Sequence, residues 1–294
     1  MVARRYLIAL MLAGLVLAGC SSSSKSGSSS GTTTSTAAPK PHPKVTIIAR
    51  DNTFTLPAQI PSGYVDVTLD NSGKEDHQAQ LVKLGSMTIA QFKALAAKTD
   101  IGKVKAGTVF VGGPNDAAGG KSTTATVKLD PGAYAVVCFI PGADGKPHAA
   151  KGMIGEVQVV QTAASSDTAP VADATIVLGD FSFTVPSGFT GKGTVDISNQ
   201  GNQIHELNLF KLAPGKTVAD AKKFLLVPPG APAPTGPPPL TELTGVVGLT
   251  PQQHAWLDLD LTPGNYLLVC FFPDPTKGGL PHALEGMIKE FTIT

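Results

Sequence analysis

Two stretches of the 294-residue chain set a thiol, an imidazole and a thioether in the same order. The first runs Cys138-Phe139-Ile140-Pro141, then Lys146-Pro147-His148, then Gly152-Met153. The second runs Cys270-Phe271-Phe272-Pro273, then Leu280-Pro281-His282, then Gly286-Met287. Each follows an apolar run behind a Pro-Gly turn, Asp130-Pro131-Gly132-Ala133-Tyr134 and Thr262-Pro263-Gly264-Asn265-Tyr266. Sulfur and imidazole donors suit transition metals, so the pattern reads as a metal loop on a duplicated β-domain. Taken alone, a Cys at a strand end is usually a small buried hydrophobe and a Met near a strand is usually core. The matched recurrence of Cys138 and Cys270, two of the three cysteines, and of four of the six histidines (His77, His148, His205 and His282) favours the metal.

The elements that position these residues read as strands. In the first repeat Val45-Thr46-Ile47-Ile48 opens, and Asp51 to Pro57 follows. Gly63 to Asp70 then alternates with the period of a half-buried strand. Asn71-Ser72-Gly73 turns towards His77, Gln80 to Leu84 is a strand, and Met87 to Lys98 has helical spacing at Ile89, Phe92, Leu95 and Ala96. A Gly-rich loop spans Gly112 to Gly120, the strand Ala133 to Phe139 carries Cys138 at its end, and Met153 to Val160 closes the repeat. The second repeat replays this: Asp180 to Pro186 matches Asp51 to Pro57, and Asn199 precedes His205 by six residues as Asn71 precedes His77. Thr217 to Leu226 takes the helix's place, and a Pro-rich loop expected to be extended and exposed runs from Pro228 to Pro239. About seven strands per roughly 120 residues is sandwich spacing. The expected domains are 44–161 and 174–294, joined by a small, polar linker at 162–173.

Abundant Gly (32) and Pro (24) with only 15% charged residues suit short strands and turns. Charge is nearly balanced, which argues against nucleic acid as a partner. At the N-terminus Arg4 and Arg5 precede an apolar run, Tyr6 to Leu17, that is too short to span a bilayer. The run ends in Leu17-Ala18-Gly19-Cys20, which resembles the lipobox of bacterial lipoproteins. That resemblance implies a signal peptide at 1–19, acylation of Cys20 and a lipid anchor in the cell membrane facing the extracytoplasmic side, the periplasm. Residues 20–43, rich in Ser, Thr and Pro, then form a disordered tether, and His42 within it is incidental. Export permits a disulfide between Cys138 and Cys270. Their equivalent slots in separate repeats make that pairing demanding, since the two loops would have to face each other within about 7 Å between Cα atoms.

The two Cys–His–Met loops, with His77 and His205 upstream behind Asn71 and Asn199, resemble the cupredoxins, the plastocyanin and azurin group of blue copper proteins. The resemblance implies an all-β fold of two tandem Greek-key sandwiches, each with one short helix insertion. It also implies one copper per domain, held by His77, Cys138, His148 and Met153 in the first and by His205, Cys270, His282 and Met287 in the second. Such type 1 sites use two imidazoles and a thiolate in a plane with a weak axial thioether. This chain departs from the family in loop length, with nine residues between Cys138 and His148 and eleven between Cys270 and His282 against the usual two to four. Pro141, Pro147, Pro273, Pro275 and Pro281 stiffen the additions.

The implied function is electron transfer or copper handling outside the cytoplasmic membrane, with a redox partner protein. A metal-free surface binding or spacer module is the alternative. An oxidase of the laccase or nitrite reductase kind needs His-x-His pairs and a His after the Cys; here Phe139 and Phe271 follow the cysteines and no His-x-His occurs. His254 has no counterpart in the first repeat and reads as structural.

Overall fold

Alternation in the sequence becomes alternation in space along Gly63–Asn71, whose residues are by turns buried and half-buried from end to end. The structure, a computed structural model, describes residues 41–98, 101–227 and 234–294. The expected leader, the lipidation candidate Cys20 and most of the tether lie outside the described residues. The first repeat contains β1 (Lys44–Arg50), β2 (Thr53–Thr55), β3 (Gln59–Pro61), β4 (Gly63–Asn71), β5 (Gln80–Lys83), β6 (Val109–Phe110), β7 (Ser122–Leu129), β8 (Gly132–Val137) and β9 (Ile154–Val160), with helices α1 (Ile89–Ala96) and α2 (Ile101–Val104). The second contains β10 (Ala174–Gly179), β11 (Ser182–Thr184), β12 (Lys192–Asn199), β13 (His205–Leu212), β14 (Leu240–Leu249), β15 (His254–Asp260), β16 (Gly264–Val269), β17 (Pro273–Asp274), β18 (Leu280–Pro281) and β19 (Ile288–Ile293), with helix α3 (Val218–Leu225). Among the described residues no helix is long and apolar enough to cross a membrane.

Each repeat is a two-layered β-sandwich. In the first, β2-β1-β4-β7 face β3-β9-β8-β5-β6; in the second, β11-β10-β12-β15 face β14-β13-β16-β19. Ile47, Val65, Val67, Leu81, Val127 and Val136 close the first core, and Ile176, Ile197, Leu207, Leu257 and Leu268 the second. Almost every residue of β13 is buried, because α3 covers its outer face, where Phe210, Leu212, Ala221 and Leu267 cluster. Both longer helices start at a threonine capping box, Thr88 with Gln91 and Thr217 with Asp220, which satisfies amides that would otherwise lack partners. Tyr134 and Tyr266, buried behind the Pro-Gly turns, donate their hydroxyls to the carbonyls of Asp130 and Thr262 at 2.9 and 2.5 Å and pin the strands that lead to the cysteines.

The two sandwiches are bonded through both layers. In one layer β15 pairs with β7, Ala255 opposite Val127 and Trp256 opposite Thr126, making a single eight-stranded sheet. In the other, residues 110–115 pair with β14: Val111 faces Leu249 and Pro114 faces Val246, and Gly112 N donates to Gly248 O at 3.1 Å. The expected Gly-rich loop from Gly112 is therefore strand-like at its start. Gly113 (φ +138°) lies so close to the Ala79 backbone, and Gly245 to that of Leu207, that neither position admits a Cβ. Pro114 stands opposite Ala79, and Val246 opposite Leu207, two residues past their respective histidines. These equivalent residues face each other, which marks a local two-fold axis between the repeats. Tyr64 packs edge-on against Trp256 across the seam at 5.4 Å.

Within 162–173, Ser165 and Ser166 are buried on the first repeat, where Tyr64 N bonds to Ser166 O at 2.7 Å, and Asp173 N bonds to Thr194 O of the second repeat at 2.8 Å. His42, expected to be incidental, donates a 2.9 Å bond from Nε2 to Thr168 O and lies 3.5 Å from Asp66.

Candidate metal centres

His77 arrives on a loop that Asn71 latches. The buried Asn71 amide donates to Glu75 O at 2.7 Å and Ala117 O at 2.6 Å, and its oxygen accepts from Gly73 N at 2.8 Å. Asn199 repeats the arrangement, donating to Gln203 O at 2.8 Å and Leu249 O at 2.6 Å and accepting from Gly201 N at 3.0 Å. The loop ligands are fixed by the main chain: Ala149 N bonds to Cys138 O at 2.8 Å, Met153 N to His148 O at 3.0 Å, and Cys138 N to Met153 O at 3.3 Å. The second repeat has the same set at 2.8, 3.0 and 3.2 Å among Ala283, Cys270, Met287 and His282.

These bonds show where the extra loop residues go. His148 N reaches Ile140 O at 2.9 Å, and His282 N reaches Phe272 O at 3.0 Å. The intervening residues fold out as side hairpins, closed by the Pro141–Pro147 bridge in one repeat and by β17 against β18 in the other. The Cys and His at each hairpin base are thereby held as close as a short loop would hold them.

In the first repeat His77 Nδ1 lies 3.1 Å from His148 Nδ1, and Cys138 Sγ lies 3.4 Å from His148 Nδ1 and 3.9 Å from His77 Nδ1. In the second, His205 Nδ1 lies 3.0 Å from His282 Nδ1, which is 3.5 Å from Cys270 Sγ. All six residues are fully buried, and both cysteines are free. With metal–nitrogen bonds of about 2.0–2.1 Å and a metal–sulfur bond of about 2.3 Å, three donors in a plane stand about 3.5–3.8 Å apart, so one ion fits each group. Met153 and Met287 are buried beside their Cys and His partners.

Three of the imidazole donors are in the state a metal needs. Burial, with His148 nearby, lowers the pKa of His77; burial lowers that of His205; burial and His205 lower that of His282 to about 4. These imidazoles are neutral at pH 7 and keep a lone pair. Burial raises Cys138 to about 12 and Cys270 well above its usual range. The thiols therefore hold their protons until a cation stabilises the thiolate.

Two of the four outer ring nitrogens, those of His148 and His205, are hydrogen-bonded to carboxylates, as metal-bound histidines often are, and that of His77 faces one without a hydrogen bond. His148 Nε2 lies 2.7 Å from Glu75 Oε2, His77 Nε2 3.7 Å from Asp51 Oδ1, and His205 Nε2 3.0 Å from Asp180 Oδ1. The N–H groups of Lys74 and Glu75 lower the pKa of Asp51, and those of Ala143 and then His148 that of Glu75. Burial pushes Asp180 up, but His205 and Asn202 outweigh it and hold the acid at about 2. Glu206, behind Cys270, is raised by burial to about 7. The sequence reading missed these acids. Asp51 and Asp180 could have been found, because they head the matched Asp51 to Pro57 and Asp180 to Pro186 segments; Glu75 has Gln203 at its equivalent position in the other repeat and gives no such signal. His254 bonds Asp196 at 2.9 Å and stacks on Trp256, away from both centres.

No protein-family model and no curated protein matches the chain. Among solved structures it is similar to reduced auracyanin from Roseiflexus castenholzii, at 22% identity over 40% of this chain and 96% of that one, TM-score 0.27. It is also similar to auracyanin A, a blue copper protein from Chloroflexus aurantiacus, at 17% identity over 40% and 98%, TM-score 0.29. A copper nitrite reductase from Nitrosomonas europaea aligns at 17% identity over 85% of this chain and 93% of its own, TM-score 0.24.

Proposed function

We propose that the chain is a lipid-anchored, extracytoplasmic copper protein that passes single electrons to and from a redox partner protein. The observation that carries this reading is the convergence, twice, of two Nδ1 atoms and one Sγ in a buried, water-excluding pocket. Thiolate with two imidazoles and a weak thioether is the donor set of electron-transfer copper, and Met153 and Met287 are assigned the thioether role. Bound copper would supply one-electron exchange between its two oxidation states. The protein's part is to hold the donors ready before the ion arrives. Neutral imidazoles offer Nδ1, the carboxylates of Glu75 and Asp180 fix the His148 and His205 rings from behind, and each thiol gives up its proton to the solvent on binding. Donors fixed this firmly, on hairpins tied at their bases, suit an electron carrier better than a chaperone that must release its ion. The anchor rests on Cys20 and the lipobox-like residues before it.

The test is to add Cu(II) to the purified chain and record the visible spectrum and the copper retained after dialysis. An intense thiolate-to-copper absorption with about two coppers per chain is expected. No absorption and no retained copper would leave the metal-free surface module as the reading.

A further inference from the structure

The second repeat carries a group of donors that the first lacks. Asp274, His282 and Glu285 bring one ligand atom each to within 4.8 Å of one another. His282 is fully buried, Asp274 is 1% exposed, and the Glu285 side chain is 8% exposed. Two of their atoms are buried with no hydrogen-bond partner: His282 Nε2, the ring nitrogen facing away from Cys270, and Glu285 Oε2. Every other polar atom here is satisfied. Asp274 Oδ1 accepts from Thr276 N and Oγ1 at 2.7 Å, Asp274 Oδ2 accepts from Gln203 Nε2 at 3.4 Å, and Glu285 Oε1 accepts from Lys277 Nζ at 2.9 Å.

The same slots in the first repeat are closed. Gly142 stands where Asp274 stands, four residues past the Cys, and a Cβ there would lie 3.0 Å from His148 Nε2. Lys151 stands where Glu285 stands, three residues past the His. Glu75, in the slot of Gln203, fills the place directly with its 2.7 Å contact to His148. One carboxylate and one imidazole satisfy each other in the first repeat. In the second, two carboxylates surround an imidazole nitrogen and leave it unbonded. A buried lone nitrogen facing an unpartnered carboxylate oxygen is costly, and a cation between them satisfies both.

We propose that Asp274, His282 and Glu285 bind a divalent transition ion such as Zn(II), and that His282, giving its remaining N–H proton to the solvent, is shared as an imidazolate between this ion and the copper of the Cys270 centre. Two carboxylates and one imidazole suit ions that take nitrogen and oxygen donors. The sharing rests on the copper reading of His282; the ion site itself does not. The rival way to neutralise the acids is a proton held between Asp274 and Glu285.

Equilibrium dialysis of the whole chain against Zn(II), followed by metal analysis, separates these. Zinc can also enter the two Cys centres, so three ions per chain are expected in the wild type and two in Asp274→Asn/Glu285→Gln. Glu285→Gln alone, the milder change, should weaken the third site, and a thermal melt checks that the variants fold. Cys138→Ser/Cys270→Ser should keep one tightly bound zinc. Equal zinc in the wild type and the carboxamide variant would mean a shared proton and would overturn the site. Sharing has its own readout: in copper-loaded Cys138→Ser, Zn(II) should shift the remaining visible band, and a band that stays fixed while zinc binds overturns the shared imidazole. If the chain shows no copper absorption at all, the zinc difference still decides the carboxylate site.

Discussion

At His148 the outer ring nitrogen sits 2.7 Å from a carboxylate, while at His282 it has no partner; at His77 the outer nitrogen is 3.7 Å from Asp51, while at His205 it is 3.0 Å from Asp180. The inner nitrogens nevertheless keep the same 3.1 and 3.0 Å separation. Duplication has preserved the donor triangle and exchanged which histidine is held from behind: the loop histidine in the first repeat, the upstream one in the second. The surroundings of the sulfur differ as well. The backbone N–H of Glu206 donates to Cys270 Sγ at 3.4 Å as that of Gln78 does to Cys138, but the buried Glu206 carboxyl raises the Cys270 pKa further, whereas Gln78 puts an uncharged amide in that slot. One backbone plan thus carries two sites with different electrostatics, and such differences tune a metal's potential.

The sharpest way to break the comparison is at the sulfur. Cys138→Ser and Cys270→Ser should each remove about half of the thiolate–copper absorption; loss of all of it in one variant would mean that a single centre is functional. Next come the latches. Asn71→Ala and Asn199→Ala each free buried partners and should destabilise the chain by about 2–4 kcal/mol, read as a drop in thermal midpoint; a clearly smaller effect at one latch would break the symmetry inferred for both.

A pH difference follows from Glu206. Its ordinary value of 4.5 rises to about 7 in the fold, so the native chain holds this proton more tightly than the unfolded one. That stabilisation is complete below about pH 4.5 and is lost as pH rises through about 7, on the order of 2–3 kcal/mol in the metal-free chain. Glu206→Gln should flatten this slope in thermal melts, and an unchanged slope would remove Glu206 from the account. Last, Glu75→Gln should weaken copper at the first centre, and Asp180→Asn at the second, by about 10–100-fold. Gln203→Glu should make the second centre more like the first, measured by competition with a copper chelator.

The ligands were legible in the sequence because they recur at matched offsets, and β4 because its alternation is complete. Met87 to Lys98 overshot α1 because the capping threonine, Thr88, already fixes where the helix starts. Residues that differ between the repeats were invisible to a reading built on what they share: Glu75, Asp274 and Glu285 are single-copy, and they set the environment of the histidines. β14 and its partner segment 110–115 escaped for another reason. Their glycines break the hydrophobic alternation, and only the close approach of two backbones explains why glycine is there.

The seam also bears on synthesis from the N-terminus. Until residue 249 emerges, the outer side of segment 110–115 of the finished first repeat has no partner, and until residue 256 emerges neither has the free side of β7. Both are bare sheet edges, the surfaces on which unfinished chains stick together. Because the seam is two-fold, the same edges on two nascent first repeats are complementary to each other. The short 162–173 connection works against that encounter, since it supplies the chain's own second half at high local concentration. A chain cut after the first repeat should therefore be recovered as a dimer of that repeat.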